Sequence, residues 1–151
     1  MNQKLRLVLI SVLIALAAAL PGAGRAQSQT VYSGAVKDFL RPMEAFSRER
    51  KTEPELVMIH FISAVVDRRD DPFNLGSIRR IFLDGGISVH YLVDREGTVR
   101  CYVPEDRTAL HAGRGEWADE KYTNRINRYS IGIEVAAIGS RQDMARYLTD
   151  R

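Results

Sequence analysis

The side chains of this sequence best suited to chemistry are three histidines, His60, His90 and His111, and one carboxylate, Glu134, set in the run YSIGIEVA (129–136). A carboxylate among apolar, β-branched neighbours costs several kcal/mol to desolvate unless it is paired, protonated or kept beside a site that uses it. His60 has a comparable setting at the centre of LVMIHFIS (56–63), where a neutral imidazole needs a partner. A metal ion would supply one. Taken singly, each histidine reads first as a packed, hydrogen-bonded side chain and second as a ligand.

These residues need elements to position them. The period-two rule divides YSIGIEVA into Ile131, Ile133 and Val135 on one face and Ser130, Gly132, Glu134 and Ala136 on the other. The second face has little bulk around its carboxylate, which predicts a cleft floor with space for a ligand. LVMIHFIS, bounded by Pro54 and a polar loop, reads as a buried central strand. Asn74 is placed to cap a helix bearing Leu75, Ile78 and Phe82 along one side, with Gly85 and Gly86 as its stop. SVHYLVD and TVRCYV flank REG and predict a hairpin. The stretch from Pro104 to Asn127 is long for an irregular segment and contains LHAGRGEW; ordered loops of that length are usually functional. Ser140 and Asp143 then open a last helix with Met144, Tyr147 and Leu148 on one edge. The fold class expected is mixed α/β (α+β), a central mixed β-sheet flanked by helices, with LVMIHFIS and YSIGIEVA as central strands sharing the cleft.

Composition bounds the rest. Lys4 and Arg6, the apolar block from Leu7 to Leu20 and the small residues ending at Ala26 predict a signal peptide over 1–26. The apolar block is too short for the roughly 18 to 20 residues that span a bilayer, so no stable membrane anchor is expected after cleavage. Residues 27–51 read as a linker and an N-terminal extension packed on the domain, and 52–151 as one domain. The formal charge of +3 resides in the leader: without its three cations, 19 basic and 19 acidic residues remain, which removes the case for nucleic acid as a partner. Runs such as RERK read as solvated faces. The single cysteine, Cys101, excludes an internal disulfide and reads as a buried, inert thiol.

Four segments, VMIHFIS, GISVHYLVDREGTV, YVPEDRTALHAGRGEW and NRYSIGIEVAAIG, occur in an order and spacing that resembles the zinc-dependent N-acetylmuramoyl-L-alanine amidases of the type-2, peptidoglycan-recognition-protein-like family. The resemblance runs from about Leu56 to Gly139. It implies an exported enzyme, periplasmic or extracellular, whose substrate is peptidoglycan or a muropeptide. Such enzymes cut the amide between N-acetylmuramic acid and the L-alanine of the stem peptide. It further implies Zn2+ as cofactor, His60 as a zinc ligand, Glu134 as general base, and His90, His111 and Asn127 as substrate-binding, cleft-lining positions, Asn127 holding the loop. Family members continue past the equivalent of Arg151 to a segment of the type H-x(6)-R-K-x-D-P that carries the second histidine and the aspartate of the zinc site. Its absence from this sequence implies an interrupted reading frame. Two alternatives stand beside an enzyme: a non-catalytic muropeptide-binding module, and a substitute all-histidine site, for which the three rings would have to converge on one point.

Overall fold

A computed structural model describes residues 31–38, 43 and 45–149. The predicted signal segment lies outside the described residues, as do Phe39, Leu40 and Pro42. In chain order the elements are β1 (Val36–Lys37), β2 (Arg48–Glu49), β3 (Leu56–Ile62), α1 (Leu75–Asp84), β4 (Tyr91–Val93), β5 (Val99–Cys101), β6 (Arg107–Thr108), α2 (Ile126–Tyr129), β7 (Ser130–Ala136) and α3 (Arg141–Thr149). Five strands form a mixed sheet in the order β1-β5-β4-β7-β3, and β2 pairs with β6 in a second, two-stranded sheet. Strands β3 and β4 both run parallel to β7, while β4 and β5 form the antiparallel hairpin.

The hairpin closes through Gly97, whose φ of 82° is open to a residue without Cβ. Asp94 supports the turn: its carboxylate accepts from the Thr98 amide at 2.8 Å and from Arg100 Nε at 3.1 Å. Helix α1 starts where its sequence predicts, with Asn74 Oδ1 accepting from the Ser77 amide at 3.0 Å, and it ends at Gly85. Its buried residues, Ile78 and Phe82, pack with Met43, Val89, Leu92, Tyr102 and Ala136. The opposite face of the sheet packs Tyr91, Cys101, Ile131 and Ile133 under Val31, Tyr32 and Ala35. Cys101 is fully buried, and burial, with the Glu105 charge second, pushes its thiol up to about 12.

One strand assignment is corrected. β7 is central, between β4 and β3, but β3 is the sheet's edge. Val57, Ile59 and Phe61 on its outer face are 37%, 46% and 61% exposed, while Met58, His60 and Ile62 on the other are half-buried. A continuous apolar run carries no alternation from which the open face could be read. Helix α3 also differs from its amphipathic reading: the capping box forms, with the Asp143 amide donating to Ser140 Oγ at 2.9 Å, yet no residue of the helix is buried. Among the described residues no helix is long and apolar enough to cross a membrane.

The segment ahead of β3 is tied into the domain. Met43 is fully buried in the main core, and β2 supplies half of the second sheet. Met43→Ala is therefore expected to lower unfolding stability by about 2–5 kcal/mol, the usual range for emptying such a site. Denaturant titration checks this, and a loss below about 0.5 kcal/mol would mark the segment as a dispensable linker.

Candidate active site

The parallel pairing of β3 with β7 sets His60 directly beside Glu134. Paired residues on neighbouring strands lie about 4.8 Å apart and project to the same face, so imidazole and carboxylate share one side of the sheet. Leu92 of β4 flanks Glu134 on its other side and joins the core under α1, which closes that approach. Glu134 is 7% exposed, and its Oε2 is buried with no hydrogen-bond partner. Burial alone pushes its carboxyl up to about 7, and burial also lowers the His60 pKa. A groove of about 600 Å³ opens over the pair and wraps the free edge of β3, with Phe61, Val66, Ser140 and Asp143 among its walls.

His111 reaches this face from the long loop. Its Nδ1 stands 3.1 Å from His60 Nε2, and its Nε2 stands 3.1 Å from Ser130 Oγ. The ring lies over Gly132, where a Cβ would fall 2.4 Å from ring carbons. The bare backbone at Gly132 thus accommodates a histidine, whereas the sequence pattern predicted open space for a ligand there. Asn127 anchors the loop: its Oδ1 accepts from the amides of His111 and Ala112 at 3.1 and 2.9 Å. Burial, with the His60 and Arg50 charges after it, pushes the His111 pKa down to about 4.

His90 is not where a cleft-lining residue would be. It is fully buried, its Nδ1 accepts from the Gly132 amide at 2.9 Å, and its Nε2 lies 3.0 Å from the Arg107 carbonyl. The Arg50 guanidinium also lies 2.9 Å from Nε2, so with both nitrogens engaged inside the protein His90 has none to offer a ligand. Burial and the adjacent Arg50 charge push it down to about 3, so the ring is neutral throughout the physiological range. Strand β7 also separates His90 from β3. The groove is lined by His60 and Glu134 and not by His90, His111 or Asn127.

Arg50 plays a part that its charge-run setting concealed. Its guanidinium donates to the carbonyls of Glu105, Arg128 and Ser130 at 2.6, 2.9 and 3.0 Å, joining the long loop to the start of β7. The only sequence signal was its place just ahead of an apolar strand, and RERK reads equally as a solvated face. Ser130 was assigned to the correct face, but its use by His111 depends on a residue nineteen positions away.

Whether these residues fit a metal can be judged from the donors. The half-buried neutral imidazole of His60 and the orphaned Oε2 of Glu134 suit a cation. Among the described residues, however, no group of three or more His, Cys, Asp or Glu side chains converges on a common point. The three histidines stand in a row, with ring centroids 5.3 Å apart from His60 to His111 and 5.9 Å from His111 to His90. Their nitrogens face one another, a hydroxyl and backbone, which does not make the all-histidine site.

A sheet with an acid and an imidazole paired at its open edge, capped by a loop held through an asparagine, defines a hydrolase-like cleft in a mixed α+β fold. The family model described as N-acetylmuramoyl-L-alanine amidase matches residues 50–149, so this chain belongs to the N-acetylmuramoyl-L-alanine amidase family. Among solved structures, the fold is similar to the crystal structure of a selenomethionine AmpD derivative, at 23% identity and a TM-score of 0.51, covering 83% of this chain and 75% of that one. Comparison with curated proteins returns no match. The family's activity is peptidoglycan amide hydrolysis, and the expected fold class and family are those found.

The Glu134 environment makes a thermodynamic prediction for the metal-free protein. With a carboxyl near 7 in the folded state and an ordinary value of 4.5 otherwise, the folded form retains its proton longer, so stability falls as pH rises from about 4.5 to 7. Gln cannot ionise. Glu134→Gln should therefore match the parent at pH 4 and exceed it by about 3 kcal/mol at pH 8. Equal stability of the two proteins across that range would show that Glu134 is not buried as described.

Proposed function

We propose that this amidase cleaves the bond between the lactyl group of N-acetylmuramic acid and L-alanine with a zinc-activated water, Glu134 acting as general base and His60 as a zinc ligand. The observation that carries this reading is the register pairing of His60 with Glu134 beside an open groove, with one carboxylate oxygen left without a partner. When bound, zinc polarises the amide carbonyl and brings the pKa of its water to about 7. Glu134 is poised for the proton. A carboxyl titrating near 7 is substantially ionised at neutral pH, and its protonated form is acidic enough to pass the proton to the departing amine.

The desolvation that raises Glu134 also increases its basicity toward a nearby water, and Leu92 and the α1 core keep bulk solvent from that side. His111 and Asn127 belong to the proposal through the loop that stands against His60, with Asn127 setting the loop's backbone. His90 does not, because its nitrogens are spent inside the protein. Residues 1–26 would direct export, placing the enzyme at the cell envelope where peptidoglycan lies. A second reading, a muropeptide-binding module without turnover, is favoured by one observation: among the described residues the donors for a three-ligand zinc site do not converge.

Two measurements separate these. Glu134→Gln should reduce release of stem peptide by about 10²-fold or more while the muropeptide Kd changes less than about threefold. Undiminished release in that variant would remove Glu134 from the base role, and muropeptide binding with no release by the parent chain would establish the binding module. Zinc titration of the 151-residue chain should give a Kd weaker than about 1 μM, because a complete site worth about 10 kcal/mol or more needs a fuller ligand set than His60. Nanomolar binding would require ligands beyond those proposed.

A further inference from the structure

Four hydrogen-bonding groups lie in a line beneath the groove, and their chemistry allows only one arrangement of protons among neutral rings. The Ile126 carbonyl can only accept, and it lies 2.7 Å from Ser130 Oγ. The single hydroxyl proton of Ser130 is thereby committed, so toward His111 the oxygen can only accept. His111 Nε2, 3.1 Å away, must then be the nitrogen that carries hydrogen. A neutral imidazole has one such nitrogen, which leaves His111 Nδ1 as an acceptor. The group facing Nδ1 is His60 Nε2 at 3.1 Å, so the proton between the rings belongs to His60.

We propose that Ser130 and His111 are positioning residues that set the tautomer of His60, holding its proton on Nε2 and leaving the Nδ1 lone pair as the only one the ring can present to a cation or water. The catalytic consequence rests on the reading of His60 as a ligand; the tautomer itself does not. Second partners that orient a histidine ligand usually act directly, through a carboxylate or a carbonyl. Here the orienting carbonyl, that of Ile126, acts at a distance through a hydroxyl and a second imidazole.

Local geometry supports the relay at each step. Gly132 lacks the Cβ that would displace the His111 ring, and Asn127 fixes the backbone that carries it. Ser130 is fully buried, so water does not compete for its oxygen. A doubly protonated His111 would place a cation in the same interior as the Arg50 guanidinium, which binds the Ser130 carbonyl.

The test is a long-range 1H–15N correlation spectrum of the ring nitrogens in the uniformly labelled, metal-free full chain near pH 7.5. His60 and His111 should both show a protonated Nε2 and an unprotonated Nδ1; a protonated Nδ1 on either ring overturns the proposal without any variant. In Ser130→Ala both rings should shift toward mixed tautomers, and Ser130→Thr, which retains the hydroxyl, should restore them. A spectrum unchanged by Ser130→Ala overturns the relay. Zinc added to the parent chain should perturb His60 Nδ1 and not Nε2; the predicted tautomers with no zinc effect on His60 would uphold the relay and reject His60 as a ligand.

Discussion

The structure depends on the register of β3 against β7. Seven consecutive residue pairs, from Leu56 with Ser130 to Ile62 with Ala136, set His60 beside Glu134. A slip of one residue would turn one partner to the opposite face and leave a buried carboxylate without a nearby imidazole. The ladder is extended at both ends, by the Glu55 amide donating to the Tyr129 carbonyl at 2.7 Å and the Ala137 amide donating to the Ile62 carbonyl at 3.0 Å. Arg50 then grips the Ser130 carbonyl at the first residue of β7. Parallel strands connected by a long crossover need such pins, because no tight turn fixes their alignment.

The second constraint is the polar layer beneath the site. His90, Ser130, Ser88 and Asn127 are side chains that satisfy backbone groups of an otherwise irregular loop. Ser88 Oγ accepts from the Leu110 amide at 2.8 Å and donates to the Phe46 carbonyl at 2.9 Å, and Asn127 accepts from two loop amides. A loop passing over a sheet cannot leave such groups dry and unpaired. Satisfying them with short, rigid side chains positions His111 to a precision that a solvated loop lacks. Two histidines of this layer remain neutral, under burial and beside the Arg50 charge, while burial holds the Glu134 carboxyl at about 7.

Chemistry and stability oppose each other at Glu134. Its buried, unpartnered oxygen costs folding free energy as the group ionises, and that cost raises its basicity toward a bound water. Asp106 Oδ1, just ahead of β6, is also buried without a partner but lies outside the groove, whereas Asp94, as buried as Glu134, is paired with Arg100 and turn amides. What sets Glu134 apart is that its unpartnered oxygen stands beside His60 at the groove.

Several features were settled by the sequence itself. The α1 cap and stop, the hairpin around Gly97, the buried Cys101 and the face of β7 that bears Glu134 all follow from local rules, since caps, turns and strand alternation involve residues a few positions apart. The four linked segments carried the family. What tertiary structure decided was everything between distant residues. β3 became an edge because neighbour order in a sheet is not written in a continuous apolar run. Gly132 seats a ring instead of a ligand because His111 arrives from 21 positions away, and His90 is sealed by Arg107 and Gly132 for the same kind of reason. Arg50 looked like one cation in a solvated run, and only the meeting of the long loop with β7 made it a clamp. Local chemistry chooses which side chains are available, while the long-range pairing of β3 with β7 chooses which of them meet.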